Sequence, residues 1–249
     1  MNQRYEKQEA GKIVVQNRFV KWLDNFWYHY KWHTIAVAFF LFTFVVCFVQ
    51  CSTSQGAADI RVAYVGGYSP TAEERQGILG VMESISPDAG EAGKGSVVDL
   101  RTFGVYGDEQ IKDLCWDEAA GQVHTPSANS MKQLSRDNFS QFYQYSQTGD
   151  SAVWLVSEDV YIEWGLDKTR IRPLSDLYQT TPESAYDEYA IRLSETELYR
   201  HFDALKALPE DTLVVLPRQL VLGSSSDDAT YALFVEMFRA IVEFKVTKA

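Results

Sequence analysis

Apolar residues are distributed along this chain in two ways. From Thr34 to Val49 they are nearly continuous, reading TIAVAFFLFTFVVCFV without a charge. With Trp32 and His33 before it and Gln50 and Cys51 after it, the segment approaches the ~20 residues that a helix needs to cross a ~30 Å hydrocarbon core. Such a core leaves no water for backbone polar groups, so a lone segment must be helical there. Beyond Ile60 the apolar residues come in short runs between polar stretches. No second long run exists, so the pattern predicts one anchor.

The short runs predict alternating strands and helices. Ile60 to Val65, Val97 to Val105, Ala152 to Val156, Asp187 to Leu193 and Thr212 to Leu216 read as strands. Thr71 and Glu74 have capping-box spacing and open a helix with Ile78, Leu79, Met82 and Ile85 on one face. Asp108 to Ala120, Asn129 to Tyr145, Asp159 to Trp164, Glu195 to Leu205 and Asp228 to Val246 read as further helices, with a break at Pro126. This alternation predicts an α/β domain with a mostly parallel sheet flanked by helices.

Charge orients the chain. Six basic residues against three acidic ones give the segment before the span +3, so −11 for the whole chain leaves −14 to the rest. Basic flanks stay on the cytoplasmic side, which places the N-terminus inside and the acidic portion outside. Trp27, Tyr28, Tyr30 and Trp32 suit the headgroup layer. Ile13 to Tyr30 repeats aromatic and apolar residues at helical spacing and reads as an interfacial helix, either as a plain extension of the span or as a docking helix for a membrane partner. A cleaved signal peptide has a short basic start, which this long N-terminal arm lacks. Cys51 suggests a lipoprotein cleavage site, but Gln50 stands where a small residue is expected. The expected organisation is therefore a cytoplasmic arm (1–32), an anchor (33–51), a linker (52–58) and one extracytoplasmic α/β domain (59–249).

About 190 residues follow the linker, enough for one domain with a sizeable core. Its acidity and lack of a basic stripe argue against nucleic acid as a partner. Cys115 is the one cysteine beyond the span region, so the domain forms no internal disulfide and must rely on its core. Asn138-Phe139-Ser140 matches a glycosylation sequon. The scarcity of cysteine suggests a bacterial source, where that match carries little meaning.

Gly149-Asp150, the buried-looking strand Ala152 to Val156, Ser157-Glu158-Asp159, Gly165 and Pro173-Leu174-Ser175-Asp176-Leu177 follow one another between Thr148 and Tyr178. This stretch resembles the first lobe of extracytoplasmic solute-binding proteins of the type 2 periplasmic-binding fold. The order of the preceding strands and helix fits that lobe as well. The domain is long enough for one lobe, so the resemblance implies a one-lobed, membrane-anchored relative that binds a small ligand or peptide.

Ligands of parallel sheets bind at the carboxyl ends of strands. Two loops qualify: Gly66, Gly67, Tyr68 and Ser69 after the first strand, and Ser157, Glu158 and Asp159 after the third. The plainer reading is that the glycines turn the chain and the polar residues cap helices. Asp88 to Asp99 faintly matches a calcium loop, but Gly90 and Ala92 occupy positions that normally supply ligands. The histidines lack metal-ligand spacing, and no G-x-S-x-G elbow or phosphate-binding loop occurs. No metal or cofactor is expected. Glu158 with Glu163 is an imaginable acid/base pair, and Trp116, Trp154, Trp164 and Tyr161 are imaginable sugar platforms. Three functions follow in order: a non-catalytic ligand-binding or sensory module on the bilayer, an assembly subunit of a membrane complex, and an envelope hydrolase.

Overall fold

The computed structural model describes residues 18–53, 58–87, 96–163, 166 and 168–246, with the side chains of the first helix described for 26–28 and 30–46. Residues 88–95 of the expected calcium turn, Trp164 and Gly165, most of the linker and the start of the interfacial helix lie outside the described residues. The chain divides into two units, Met1–Gly56 and Ala57–Ala249.

The first unit holds α1 (Arg18–Thr53), a helix of 36 residues. It runs without a break through the segment expected to lie in the interface and the segment expected to span. Thr34 and Thr43 donate their hydroxyls back to the carbonyls of Tyr30 (3.0 Å) and Phe39 (2.9 Å), so neither hydroxyl needs water. Apolar side chains are exposed around the whole circumference: Phe39, Phe40, Phe42 and Phe44 are each 64–72% exposed. Among the described residues no helix is long and apolar enough to cross a membrane, and the expected span runs past Val46, where the described side chains end.

The second unit is an α/β domain. Its central sheet contains β1 (Ile60–Gly66), β2 (Val98–Gly104), β5 (Val153–Ser157), β6 (Ala190–Arg192) and β7 (Thr212–Val215), in the order β2-β1-β5-β7-β6. β1 is parallel to both β2 and β5, while β7 is antiparallel to β5 and β6. Four strands therefore share one direction and β7 opposes them. The mostly parallel sheet agrees with the expectation.

Alternation along β1 builds two cores. Ile60, Val62 and Tyr64 face α2 (Ala72–Ile85) and α7 (Asp228–Val242), whose Ile78, Met82, Phe234 and Phe238 complete one cluster. Ala63 and Val65 face the opposite side, with Phe142 of α4 (Thr125–Ser146) and Val160 of α5 (Glu158–Glu163). Each fully buried large side chain contributes roughly 1.5–3 kcal/mol. Thr71 and Glu74 form the expected capping box: the Glu74 N–H donates to Thr71 Oγ1 (3.3 Å), and the Thr71 N–H donates to Glu74 Oε2 (2.8 Å).

Several boundaries differ from the sequence reading. The helix expected to Ala120 stops at Leu114 as α3 (Asp108–Leu114), and β3 (Trp116–Asp117) pairs with β4 (Gln122–Val123) around Gly121 at φ +64°. Pro126 does not break a helix but sits in the first turn of α4, where its missing N–H costs nothing. The strand expected from Asp187 begins at Ala190, because Asp187 Oδ1 accepts the N–H groups of Tyr189 (2.8 Å) and Ala190 (2.9 Å) and folds the chain into a turn. The helix expected over 195–205 splits into α6 (Glu197–His201) and a 3-10 turn, and α7 ends at Val242.

Candidate functional site

The chain leaves β1, crosses through α2 to β2 on one side, and later returns to β5 on the other side of β1. The strand order thus reverses between β1 and β5, and their carboxyl ends are where a ligand crevice is expected in an open α/β sheet. The two loops expected from sequence flank that point.

The loops are packed closely. Gly66 is buried: a Cβ there would stand 2.6 Å from Tyr64 Oη and 3.0 Å from Ser157 Cβ and Oγ. Gly67 lies against Tyr106 and Gln110, with its virtual Cβ 2.9 Å from Tyr106 Cδ1. Gly107 lies against Asp159, with its virtual Cβ 3.0 Å from Asp159 Cβ. The structure therefore brings Gly66, Gly67, Ser157 and Asp159 together with a third loop, Tyr106-Gly107, that leaves β2. Tyr68 turns back to pack its ring edge-on to Tyr64 at 6.2 Å, and Ser69 is exposed to solvent. Glu158 is held elsewhere, accepting from Arg192 Nη2 (2.8 Å) and the Tyr186 hydroxyl (3.0 Å).

Beside these loops an open cleft of about 280 Å³ is lined by Tyr106, Asp108, Ile111, Lys132, Arg136 and Glu163. The Tyr106 N–H donates to Ser135 Oγ (3.1 Å), which pins α4 to the exit of β2 and sets Lys132 and Arg136 at the rim. Lys132 Nζ lies 2.7 Å from Asp108 Oδ1, and the Asp108 N–H donates to Glu163 Oε2 (3.1 Å). The cleft thus presents two cations on one helix opposite two carboxylates from α3 and α5. The cations suit a carboxylate or phosphate, and the carboxylates suit an ammonium group.

The electrostatics of the crevice are acidic. Burial raises the Asp159 pKa, and the charges of Glu163, Asp211, Glu109 and Glu158 push it further up. The adjacent Glu158 is lowered, first by its hydrogen bond from Arg192. Lys132 lowers Asp108. Among the described residues, three strand hydroxyls on the sheet face toward α2 are buried without a hydrogen-bond partner: Tyr64 (1% exposed), Ser157 (2%) and Thr212 (0%). Ser157 and Thr212 are register partners across β5 and β7. Burial, followed by the Asp211 charge, holds the Tyr64 phenol well above its ordinary pKa.

Other expected constellations do not assemble. Glu158 and Glu163 engage different partners rather than one another. Trp154 and Tyr161 are core residues, with Trp154 edge-on to Phe142 at 5.2 Å, whereas Trp116 is exposed on β3. Asn138 donates its amide to the Gly104 carbonyl (2.8 Å), so the sequon asparagine serves the packing of α4 on β2. Among the described residues no group of three or more His, Cys, Asp or Glu could hold a metal ion.

Sequence reasoning missed the Tyr106-Gly107 loop and the Lys132 and Arg136 pair. The loop was visible by the same strand-then-glycine rule that selected Gly66. The two cations are four residues apart on α4, a spacing that shares a helix face. Comparison with protein families, curated proteins and solved structures finds no match for this chain.

Proposed function

We propose that this chain is a membrane-anchored, non-catalytic binding module with its N-terminus cytoplasmic and its α/β domain extracytoplasmic. On this reading the domain is a one-lobed relative of solute-binding proteins. The anchor reading is supported by the charge-free run of α1 and by the exposure of apolar side chains around that helix. The binding reading is carried by one observation: three strand-end loops converge at the strand-order reversal, next to a cleft that offers both signs of charge. Its ligand is a small polar solute bearing a carboxylate and an ammonium group, an amino acid in the simplest case.

The test is a thermal-shift screen of the intact chain in detergent against the free amino acids. A ligand at 100 times its Kd stabilises by about 2.7 kcal/mol, roughly 5–10 °C for a domain of this size. Arg136→Ala is expected to abolish the shift while leaving the unliganded melting temperature unchanged. A melt unmoved by every amino acid at millimolar concentration would sink the reading. The exposed apolar circumference of α1 also supports a second reading, an assembly subunit whose helix meets another membrane protein. Purification in mild detergent with a stoichiometric partner would favour it.

A further inference from the structure

The most exposed large apolar side chains among the described residues are neighbours in sequence: Val221 (93%) and Leu222 (82%). Scattered single aliphatics are ordinary on a protein surface, but here two adjacent side chains stand almost wholly in water. The loop that carries them follows β7 and is firmly mounted. The Ser224 N–H donates to the Thr148 carbonyl (3.0 Å), the Leu220 N–H donates to Ser225 Oγ (3.2 Å), and the Ser224 hydroxyl donates to Asp150. Gly223 turns the tip at φ +107°, where a Cβ would collide with the Thr148 carbonyl oxygen. The fold thus holds an apolar tip away from its own core.

The place of that tip is the second observation. β7 opposes β5, so the loop after it emerges at the amino edge of the parallel strands, opposite the candidate site. Asp150 ties the loop to the start of β1, with its Oδ2 3.7 Å from Arg61 Nη1. The chain enters the domain at this same edge, where β1 begins at Ile60. Val97 is there too, 51% exposed, its carbonyl accepting the N–H groups of Asp59 (2.9 Å) and Ile60 (3.2 Å). β2 and β7 are three strand spacings apart, so Val97 and the tip mark out about 14 Å of the edge. Exposed Asp59 and Asp228 accompany exposed Arg218, so both signs of charge are present and the apolar side chains set the character of the contact.

We propose that the Val221-Leu222 tip, with Val97 beside it, is a membrane-contact surface that enters the boundary between headgroups and acyl chains of a lipid bilayer. The proposal rests on the anchor reading given above. The expected span ends by Cys51, and the nine residues from there to Ile60 reach at most about 30 Å. A short tether attached at this edge gives the tip a high effective concentration of lipid, so a shallow contact suffices. Docking there turns the carboxyl edge and its cleft away from the bilayer, open to solutes.

The test uses the intact chain in phosphatidylcholine nanodiscs, with Cys47 and Cys51 replaced by alanine and buried Cys115 retained. A nitroxide is placed in turn through Leu222→Cys, Ser69→Cys and Phe42→Cys, and its collisions with oxygen, which concentrates in lipid, and with an aqueous nickel chelate are compared. The oxygen-to-nickel ratio at position 222 is expected to be about tenfold that at position 69 and insensitive to salt. Val221→Asp should bring it down toward the value at 69, and because Val221 is exposed that variant should melt as the parent does. A ratio at 222 equal to that at 69, with position 42 shielded from nickel, overturns the proposal and leaves the anchor reading standing. Nickel access at position 42 overturns both. A label at 222 shielded from both reagents means that protein covers the tip, which also overturns the proposal.

Discussion

Replacing Tyr64 by Phe should stabilise the domain, although it deletes a polar group from the heart of the site. The hydroxyl is buried, and the nearby Tyr68 N–H approaches it outside hydrogen-bond geometry. A buried polar group left unpaired costs about 1–3 kcal/mol of lost hydration. The partial approach of Tyr68 puts the expected gain at the lower end, about 1 kcal/mol, or roughly 2–4 °C. Gly66→Ala should act in the opposite direction. Its new Cβ would meet Tyr64 Oη at 2.6 Å and Ser157 Oγ at 3.0 Å, inside normal contact. Overpacking of this kind costs about 1–3 kcal/mol, from which the reduced freedom of the unfolded chain recovers about 0.4–1 kcal/mol.

The double variant separates the two effects. Removing the hydroxyl removes the shortest clash, so Tyr64→Phe should be more stabilising in the Gly66→Ala background than in the parent. A coupling of about 0.5–1 kcal/mol is expected for side chains in such contact. Urea unfolding of the intact chain in detergent, for the parent, both single variants and the pair, measures it. A loss of more than 1 kcal/mol on Tyr64→Phe alone would refute the reasoning, because it would mean that the hydroxyl has a strong partner in solution.

Glu158 and Asp159 are adjacent in sequence but should titrate with opposite signs. The Glu158 pKa is lowered in the folded domain, so its stabilisation is full above the ordinary glutamate pKa and is lost as pH falls through the folded value. Arg192→Ala should therefore lower the melting temperature at pH 7, with the deficit shrinking toward pH 3. The Asp159 pKa is raised, so its ionisation opposes folding at neutral pH, and Asp159→Asn should raise the melting temperature at pH 7 with a gain that vanishes below its ordinary pKa. Asp187→Ala should cost about 3 kcal/mol by urea unfolding, since it removes the acceptor of Tyr161 Oη and of two backbone N–H groups. Ser69→Cys, at an exposed position, should react with an impermeant maleimide on intact cells; labelling only after permeabilisation would reverse the orientation.

What could be read from the sequence follows the strength of each local signal. Ala152 to Val156 is an unbroken apolar run and Ile60 to Val65 is interrupted by Arg61 alone, and both became central strands with a glycine or serine at the carboxyl end. Two of the three site loops were therefore found. The antiparallel course of β7 was not legible, because Thr212–Val215 is buried on both faces and a uniform apolar run carries no direction. The two-residue strands β3 and β4 are too short for any periodicity. Asp187 shortened a strand through side-chain bonds to its own backbone, a competition that the apolar pattern does not register.

The cleft beside the site loops illustrates a further limit, which concerns polar residues rather than apolar ones. Lys132 and Glu163 lie far apart in sequence and read individually as solvated surface, yet they line one cleft because Ser135 anchors α4 to the loop after β2. Burying an apolar run has a large free-energy gain that acts locally, so it writes a periodic pattern into the sequence. Placing a charged rim involves little net free energy, since exposed pairs contribute about 0–1 kcal/mol. The fold does not need those charges where they stand. Their convergence on one concave surface is consequently better evidence of binding than any single residue in it, and it becomes visible only once the topology is known.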